Sequence, residues 1–291
     1  MGADGASAGT GGAIQPDAVN ASVFDVPLCG TFFIGGKEMV HFVGAGPGAA
    51  DLITLRGVRL LKEAGQVIYA GSLVNLELLQ YCQENCRILN SARMTLEEIV
   101  LAVLRAEDEG LDTVRLHTGD PSVYGAIREQ MKALERHGVH YDVTPGVSSF
   151  SAAAAALNAE YTLPGVSQSL ILTRMAGKTP VPEAESMKAM ASHGCSMAIF
   201  LSASMAEQVQ EELLSGSYTP ETPAAIVSKA SWPDQQIIHC TVGTLSASAK
   251  EHGITKTALL LAGDFLGEAK ERSRLYDPTF STEYREGTGK L

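Results

Sequence analysis

The stretch DTVRLHTGDPSVYG, residues 112–125, decides the fold class of this chain. A β-prone run over 113–116 ends abruptly in TGDP at 118–121, and a helix-like segment that contains Tyr124 follows. A strand that stops at Gly-Asp-Pro presents a carboxylate and bare backbone amides at its carboxyl end. Ligands of open α/β sheets bind outside that end of the strands. The stretch therefore predicts an α/β protein with a ligand site after this strand.

Two further glycine-rich turns also follow β-prone runs. GAGPG at 44–48 closes the run 39–43, and TPGVSS at 144–149 closes a strand expected over 139–143. Each turn alone would be read as an ordinary tight turn, because glycine and proline are common in turns for conformational reasons. Three such turns at three strand ends favour one shared cleft instead.

Strand and helix signals alternate between these turns. Thr54 can cap a helix that ends near Gly65, and a short buried strand is expected over 67–70. Thr95 and Glu98 form a capping box, in which each side chain satisfies an exposed amide at the helix start. The resulting βαβαβ order predicts a mostly parallel sheet covered by helices.

The second half of the chain repeats the alternation less regularly. A helix of small side chains is expected over 149–157, and another helix over 204–214. The polar loop SKASWPDQ at 228–235 separates two strand candidates, which predicts a hairpin and a mixed sheet. The strand candidates are 169–173, 197–201, 224–227, 236–240 and 258–261.

These signals divide the chain into segments. Residues 1–37 are rich in Gly, Ala and Ser with little to bury, so we expect a disordered extension. The rest reads as two α/β lobes joined by a linker helix, followed by a polar tail. The expected ranges are 38–147 for the N-terminal lobe, 148–166 for the linker, 167–270 for the C-terminal lobe and 271–291 for the tail.

The composition of the chain argues against nucleic acid, a membrane and a protein-held metal as partners. The chain has 33 acidic and 22 basic residues, a formal net charge of -11, which argues against nucleic-acid binding because that needs a basic face. No apolar run approaches the roughly 18 residues needed to cross a membrane, and the N-terminus lacks a secretory pattern. The odd count of five cysteines fits a reduced, cytoplasmic protein. Near Cys82 and Cys86 no His or carboxylate cluster completes a metal site, so we predict no protein-held metal.

The turn at 44–48 also suggests NAD or FAD, because glycines let a backbone approach a pyrophosphate. Two features argue against that interpretation. Pro47 removes an amide donor from the turn, and YAGS at 69–72 has no carboxylate where one should bind a ribose. No Lys-Ser/Thr pair follows a glycine-rich turn, so a P-loop is absent. An NAD-linked oxidoreductase stays as the alternative from a different class.

Six motifs, in this order, resemble the tetrapyrrole (corrin/porphyrin) methyltransferases. They are GAGPG, DLITLRGVRLL, VIYAGSLV, RLHTGDPSVYGA, TPGVSSFSAAAAAL and TRMAGKTPVPE, and the resemblance covers residues 39–268. It implies a two-lobed α/β fold, with a mostly parallel N-terminal sheet, a mixed C-terminal sheet and the active-site cleft between them. It also implies S-adenosyl-L-methionine as cofactor, S-adenosyl-L-homocysteine as product, and a homodimer.

Within that family, YAGSLV, RLHTGDPSVYG and TRMAGKTPVPE are most similar to the members that methylate precorrin-4 or cobalt-precorrin-4. Those enzymes act at ring carbon 11 in cobalamin biosynthesis. Methylation at another ring position, or of an earlier tetrapyrrole such as uroporphyrinogen III, is the alternative inside the family. A non-catalytic tetrapyrrole carrier is a further alternative, but it would not need the cofactor-shaped turns at 44–48 and 118–121. Whether the macrocycle carries cobalt stays open.

The resemblance also assigns the cofactor site. Pro47 would line its floor, Gly119 and its neighbours would contact the methionine and ribose portion, and residues of the second lobe would cover the adenosine. The implied cofactor-binding residues are Pro47, Thr118, Gly119, Asp120, Val123, Ser148, Ser149, Leu201, Ala230, Thr257 and Ala258.

Methyl transfer from a sulfonium needs alignment and exclusion of water more than it needs a nucleophile. The absence of an obvious Ser-His-Asp or Cys-His set fits that chemistry. The catalytic candidates are Asp120, for which we favour orienting the cofactor over acting as a base, and Tyr124. Tyr124 contacts the macrocycle or is a buried structural residue. For His117, a side chain pointing into the core is favoured over a catalytic role.

The substrate carries many carboxylates, which arginine binds in a two-pronged manner. Arg174 ends an apolar strand and opens a Pro/Gly loop, so it is the best candidate clamp, with Lys178 as its partner and Glu183 to orient it. Arg93 is a weaker candidate. Trp232 either walls the cleft or packs the hairpin.

Overall fold

Five parallel strands form the first sheet of the molecule. The structure, a computed structural model, describes residues 39–268 and 273–288. The strands are β1 (Met39–Gly44), β2 (Gln66–Tyr69), β3 (Arg87–Asn90), β4 (Thr113–His117) and β5 (His140–Thr144). Their order across the sheet is β3-β2-β4-β1-β5, and every pairing is parallel. The carboxyl ends of all five strands therefore lie along one edge.

Helices cover both faces of this sheet. They are α1 (Leu55–Glu63), α2 (Leu96–Asp108) and α3 (Ile127–Arg136). Apolar residues of α1 pack with Val43, Val67 and Leu116 on one face, and residues of α2 and α3 pack with Phe42 and Ile68 on the other. Burying each such side chain contributes about 1.5–3 kcal/mol. The three central strands, β1, β2 and β4, are mostly buried because both faces of the sheet are covered.

The second sheet is mixed, as the hairpin predicted. Its strands are β6 (Leu170–Arg174), β7 (Ser196–Phe200), β8 (Pro223–Ser228), β9 (Gln236–Thr241) and β10 (Ala258–Ala262). The order is β6-β7-β10-β8-β9; β6 and β7 are parallel, and the remaining pairs are antiparallel. Because β10 runs against β7 and β8, it begins at the edge where those two strands end.

Four helices pack on the second sheet. They are α4 (Ser149–Leu157), α5 (Met187–Ala191), α6 (Ala206–Leu214) and α7 (Leu245–Glu251). The small side chains Ala152 and Ala153 of α4 pack with Ala198, Ala225 and Leu261 on one face. The other three helices contribute to the core on the opposite face. The α/β class, the parallel first sheet and the mixed second sheet are confirmed.

The boundaries of α3 differ from the sequence expectation. Tyr124 and Ala126 have positive φ angles, 57° and 50°, so the helix begins only at Ile127. Three short elements were not predicted, β3, α5 and α7, because four to seven residues carry too little periodicity to recognise. The caps at Thr54 and Thr95 are confirmed, including the capping box with Glu98.

The predicted disordered extension at 1–37 lies outside the described residues, and the division into lobes, linker and tail stays a prediction. Within the described residues, no helix is both long enough and apolar enough to span a membrane. The same residues hold no group of three or more His, Cys, Asp or Glu side chains arranged to bind a metal ion.

Candidate active site

A cleft of about 570 Å³ lies where strand ends of the two sheets face each other. The first sheet contributes the loops that follow β1, β2, β4 and β5. The second sheet contributes the segments that follow β7 and β8 and precede β10. Binding sites for small molecules and cofactors typically enclose about 300–1,000 Å³, so the cleft has the size of such a site. The shared cleft expected from the three glycine-rich turns is present.

The three turns of the first sheet touch through their glycine backbones. Gly46 and Gly119 exchange two backbone hydrogen bonds, of 3.3 and 2.8 Å. A Cβ atom on Gly146 would lie 2.2 Å from the carbonyl oxygen of Gly119 and 2.7 Å from the Cα of Gly44. No side chain fits between backbones that approach so closely. The glycines therefore serve this junction, in addition to allowing the tight turns.

The backbone amides of the 44–48 turn and the residue after it are largely engaged within the protein. Ala45 donates to the carbonyl of His117 at 2.7 Å, and Gly46 donates to Gly119. Ala49 donates to Oγ of Ser231 at 3.0 Å, and Pro47 has no N–H to offer. A phosphate held at a glycine-rich turn requires free amides. This turn is therefore poorly suited to a pyrophosphate, although it sits at the place where dinucleotides bind in other folds.

The carboxylate of Asp120 joins two of the turns. One oxygen accepts from the backbone N–H and the hydroxyl of Ser122, and the other accepts from the N–H of Gly146 at 2.9 Å. Partial burial raises the pKa of this carboxyl, but the hydrogen bonds from Ser122 and Gly146 outweigh it, and the net pKa is lowered. A carboxylate with a lowered pKa is a weak base. The arrangement favours an orienting role for Asp120 over proton abstraction.

Left-handed backbone conformations cluster on the cleft wall. In the described residues, seven non-glycine residues have positive φ, and four of these line the cleft. The four are Tyr124, Leu201, Lys229 and Thr257, with φ of 57°, 53°, 49° and 54°. Each such conformation costs about 1–2 kcal/mol for a residue with a Cβ. Strain of this kind persists where the surrounding structure imposes it, and it concentrates at binding sites.

Aromatic and apolar side chains form part of the wall. The rings of Tyr124 and Phe200 lie 5.2 Å apart, and both residues line the cleft. Leu201 is 68% exposed, which is unusual for a leucine. Its backbone is also in the strained left-handed region. Partial burial raises the pKa of Tyr124, the charge of Arg174 opposes that shift, and Glu185 adds to it. Tyr124 is 45% exposed, so it is available to a ligand and is not a buried structural residue.

His117 is among the residues that line the cleft, and its side chain is buried, as favoured from the sequence. Its relative exposure is 4%, and its ring lies 5.9 Å from that of Phe42. Burial, assisted by the charge of Arg115, lowers its pKa to about 3, so the imidazole is neutral near pH 7. Its buried Nε2 has no hydrogen-bond partner in the described part of the chain. A neutral imidazole with so low a pKa is a poor general base.

All the residues that the sequence assigned to the cofactor line the cleft. Tyr124 and Trp232 line it too. The assigned residues are Pro47, Thr118, Gly119, Asp120, Val123, Ser148, Ser149, Leu201, Ala230, Thr257 and Ala258. The structure brings these segments together from both sheets, while their individual contacts with a cofactor stay predictions.

The three residues proposed to bind the substrate do not line the cleft. The guanidinium of Arg174 donates to the carbonyls of Met175, Thr179 and Pro180, at 3.1, 3.2 and 2.8 Å, and so holds its own loop. Arg174 is near enough to Tyr124 to influence its pKa. Lys178 and Glu183 belong to the same loop region. Their roles toward a substrate stay predictions.

Several lining residues were not singled out from the sequence. Leu73 follows β2, Phe200 ends β7, and Lys229 and Lys256 stand beside assigned residues. The two lysines could have been predicted from their position, because Lys229 precedes Ala230 and Lys256 precedes Thr257. The strand β7 is buried along its whole length, so no alternation of exposed and buried positions marks Phe200 as facing the cleft.

This chain is similar to known proteins of one family. The model of the family Tetrapyrrole (Corrin/Porphyrin) Methylases matches residues 39–246. A cobalt-precorrin-4 C(11)-methyltransferase of Methanocaldococcus jannaschii is 48% identical, over 88% of this chain and 99% of that protein. A precorrin-4 C(11)-methyltransferase of Sinorhizobium sp is also 48% identical, over 84% and 98%.

Solved structures give the same family. The X-ray structure of a cobalt precorrin-4 methyltransferase superimposes with a TM-score of 0.77 and 44% identity, covering 79% of this chain and 96% of the other. A uroporphyrin-III C-methyl transferase of Thermus thermophilus, complexed with S-adenosyl homocysteine, matches with a TM-score of 0.66 and 27% identity, over 79% and 93%. The fold, the cleft and these matches agree, and the chain belongs to the tetrapyrrole (corrin/porphyrin) methylases.

Proposed function

We propose that this protein transfers a methyl group from S-adenosyl-L-methionine to ring carbon 11 of precorrin-4 or cobalt-precorrin-4 in cobalamin biosynthesis. The observation that carries the proposal is the 48% identity to relatives named for this reaction, over 98–99% of their length. The matched region includes the glycine turns, which form one side of the cleft. Relatives named for the metal-free and the cobalt-containing substrate are equally similar, so the proposal covers both forms.

The cleft suits S-adenosylmethionine on physical grounds. The ligand carries adenosine and an amino acid but no phosphate, which agrees with a glycine turn whose amides are mostly engaged. Apolar surface suited to an adenine is offered by residues such as Leu201 and Ala230. His117, which lines the same cleft, has a buried Nε2 without a hydrogen-bond partner in the described part of the chain. Pro47, Gly119, Ser148 and their neighbours would hold the cofactor.

Methyl transfer requires the protein mainly to align the methyl donor with the acceptor carbon. S-adenosylmethionine supplies a methyl group that is already activated by the positive sulfur. A macrocycle carbon made nucleophilic by the ring nitrogens needs to be held near it, at about 3–3.5 Å, with water excluded. In this proposal, Asp120 fixes the turns that orient the cofactor, and Tyr124 with Phe200 contacts the macrocycle. Arg174 and Lys178 would receive its carboxylates at the edge of the cleft, and Glu183 would orient Arg174.

Three alternatives fit the observations less well. Methylation of uroporphyrinogen III is the alternative inside the family, and the match to a solved enzyme of that name is weaker, at 27% identity. An NAD-linked oxidoreductase is disfavoured by the engaged turn amides and by the lack of an acidic residue at 69–72. A non-catalytic tetrapyrrole carrier would not need the strained residues that line the cofactor side of the cleft.

Calorimetric titration with S-adenosylhomocysteine and, separately, with NAD tests the cofactor class. Micromolar binding of the first ligand alone supports the proposal; binding of NAD alone, or of neither, contradicts it. Turnover with precorrin-4, cobalt-precorrin-4 and uroporphyrinogen III, each with a carbon-13 methyl donor, then identifies the substrate by mass spectrometry. NMR of the labelled product locates the new methyl group. Label at any ring position other than carbon 11 would refute the regiochemistry while leaving the cofactor class intact.

We also propose, on the family resemblance, that the enzyme acts as a homodimer. Light scattering on the eluate of a size-exclusion column measures the mass in solution, and a mass near 30.7 kDa at micromolar concentration would contradict a dimer. A cytoplasmic location follows from the expectation of reduced cysteines. Labelling of accessible thiols in intact cells, compared with lysed cells, would test it.

A further inference from the structure

The hairpin between β8 and β9 reaches across the cleft and contacts the glycine turn at 44–48. Nε1 of Trp232 donates to the carbonyl of Pro47 at 3.0 Å. Beside it, the amide of Ala49 donates to Oγ of Ser231 at 3.0 Å. These bonds join residues more than 180 positions apart in the chain. They tie the first sheet to the second at one end of the cleft.

The turn and the indole are matched in size. A Cβ atom on Gly48 would lie 2.2 Å from Cδ1 and 2.4 Å from Nε1 of Trp232, so the ring lies against the glycine with no room for a side chain. Trp232 and Pro47 both line the cleft as well. One ring therefore covers the turn, anchors its carbonyl and forms part of the ligand-facing wall.

Both partners are held before any ligand arrives. On the hairpin side, the amide of Ser231 donates to Oε1 of Gln235 at 2.7 Å, and Lys229 pairs with Asp234. On the turn side, Nδ2 of Asn75 donates to the carbonyl of Gly48 at 2.9 Å. Because these contacts already order the turn and the hairpin in the free protein, ligand binding does not carry the entropic cost of ordering them, which favours affinity.

We infer that Trp232 is a positioning residue of the adenosyl site, which holds the 44–48 turn in its ligand-binding conformation by packing on Gly48 and anchoring Pro47. The inference rests on the proposed function for the identity of the ligand. The hairpin of the second sheet would therefore fix the conformation of a turn that belongs to the first sheet. The role is distinct from hairpin packing, because the indole donates to Pro47 and lies against Gly48, which both belong to the turn of the first sheet.

The fluorescence of the chain reports on this residue directly, since Trp232 is its single tryptophan. We expect S-adenosylhomocysteine to change the tryptophan emission with the same dissociation constant that calorimetry gives. A purely structural indole, remote from the ligand, would not respond. Unchanged emission at a saturating concentration of S-adenosylhomocysteine would overturn the inference.

A double-substitution cycle then tests the size match. Trp232→Phe keeps a ring but loses the hydrogen bond, and we expect about a fivefold loss of S-adenosylhomocysteine affinity, the equivalent of one neutral hydrogen bond. Trp232→Leu and Gly48→Ala should each lose about tenfold or more. In the double variant the smaller leucine leaves room for the new methyl group. Its affinity should therefore exceed the value obtained by multiplying the two single losses.

The control and the outcomes separate this inference from the proposed function. Gln236→Ala, at an exposed position just beyond the loop, should leave the affinity unchanged, and thermal unfolding of each variant checks that it folds. In turnover, Trp232→Phe should raise the KM for S-adenosylmethionine and largely preserve kcat. If wild type fails to bind S-adenosylhomocysteine, the proposed function falls, and the inference falls with it. If wild type binds but the single losses multiply without coupling, the inference alone falls.

Discussion

The two walls of the cleft are built on opposite principles. The wall from the first sheet rests on a junction of glycines, whose turns are joined by backbone hydrogen bonds and by contacts too close for any Cβ. Residues beside these glycines, such as Asp120 and Ser148, line the cleft. The wall from the second sheet is made of residues with side chains, several of them held in the left-handed region that glycine prefers. Strained backbone is concentrated in the second wall, where Leu201, Lys229 and Thr257 have positive φ; among the described lining residues of the first wall, Tyr124 is the one non-glycine example.

The difference indicates a division of labour. Glycine backbones give a fixed, closely packed floor on which a cofactor can rest, but they offer few groups that distinguish one ligand from another. Side chains such as Leu201 and Lys229 supply shape and charge, and their strained backbones place them where an unstrained strand end would not. We therefore expect substitutions in the first wall to affect stability and binding together. Those in the second wall should affect mainly binding.

The largest effect is expected for Gly146→Ala in the first wall. The added Cβ would overlap the carbonyl oxygen of Gly119 and the backbone of Gly44, so the turns must separate. We expect a loss of about 3 kcal/mol in the free energy of unfolding, at the upper end of the range for overpacking, and no measurable binding of S-adenosylhomocysteine. Urea unfolding and calorimetry measure the two effects.

Gly138→Ala is the matched control for that prediction. Gly138 has a φ of +73°, but a Cβ atom added there would have no other atom within 4 Å, so only backbone strain is added. It should lose about 1 kcal/mol and bind normally. If the two alanine variants are equally stable, close approach of the turns is not what the glycine at 146 serves.

A second effect, of about 2 kcal/mol, concerns the buried imidazole of His117. Its pKa is about 3 in the folded protein and near 6.5 when unfolded, so between these values the unfolded chain binds an extra proton. Stability should therefore be complete above about pH 7 and fall by about 2 kcal/mol on going to pH 5. The contribution of other histidines cancels when wild type is compared with His117→Gln. A wild type that loses no more stability than His117→Gln over this range would contradict the burial of a neutral imidazole.

The same contrast explains what could be predicted from the sequence. Four of the five strands of the first sheet, the capped helices and the three glycine turns carry local signals, because glycine and capping residues have specific conformational roles. The ligand-facing role of Phe200 and the left-handed conformations at Leu201 and Thr257 carry none. They depend on packing from distant parts of the chain. The site residues of the second wall were reached only through family resemblance, and Lys256 was not reached at all.

A smaller effect is expected for Asp120→Asn, which tests how the turns of the first wall are joined. The amide keeps an oxygen for Ser122 but presents a donor to the N–H of Gly146, so one partly buried hydrogen bond is lost. We expect a cost of about 1–2 kcal/mol at pH 7. Because hydrogen bonding lowers the folded pKa of Asp120 below its unfolded value, this stability is present above about pH 4 and disappears as pH falls through the folded pKa.

Urea unfolding of wild type and Asp120→Asn, at pH 7 and at successively lower pH, measures this difference. Ser122→Ala removes one donor to the same carboxylate and should show a smaller change of the same sign. A gap between wild type and Asp120→Asn that stayed constant down to about pH 2, well below the ordinary pKa of an aspartate, would show that the stabilisation does not come from the ionised carboxylate.

The smallest effect on stability, and the clearest separation of the two walls, is expected at Leu201. Leu201→Gly removes both the strained Cβ and the exposed side chain, while Leu201→Ala removes most of the side chain and keeps the strain. Both should lose about fivefold in affinity for S-adenosylhomocysteine, because either variant removes apolar wall. The glycine variant should be the more stable of the two by up to about 1 kcal/mol, since glycine adopts this φ freely. Equal affinity of wild type and both variants would mean that the strained leucine does not face the ligand. If instead the alanine variant were the more stable, the left-handed backbone at 201 would not be a source of strain, and the contrast between the two walls would reduce to one of side-chain size.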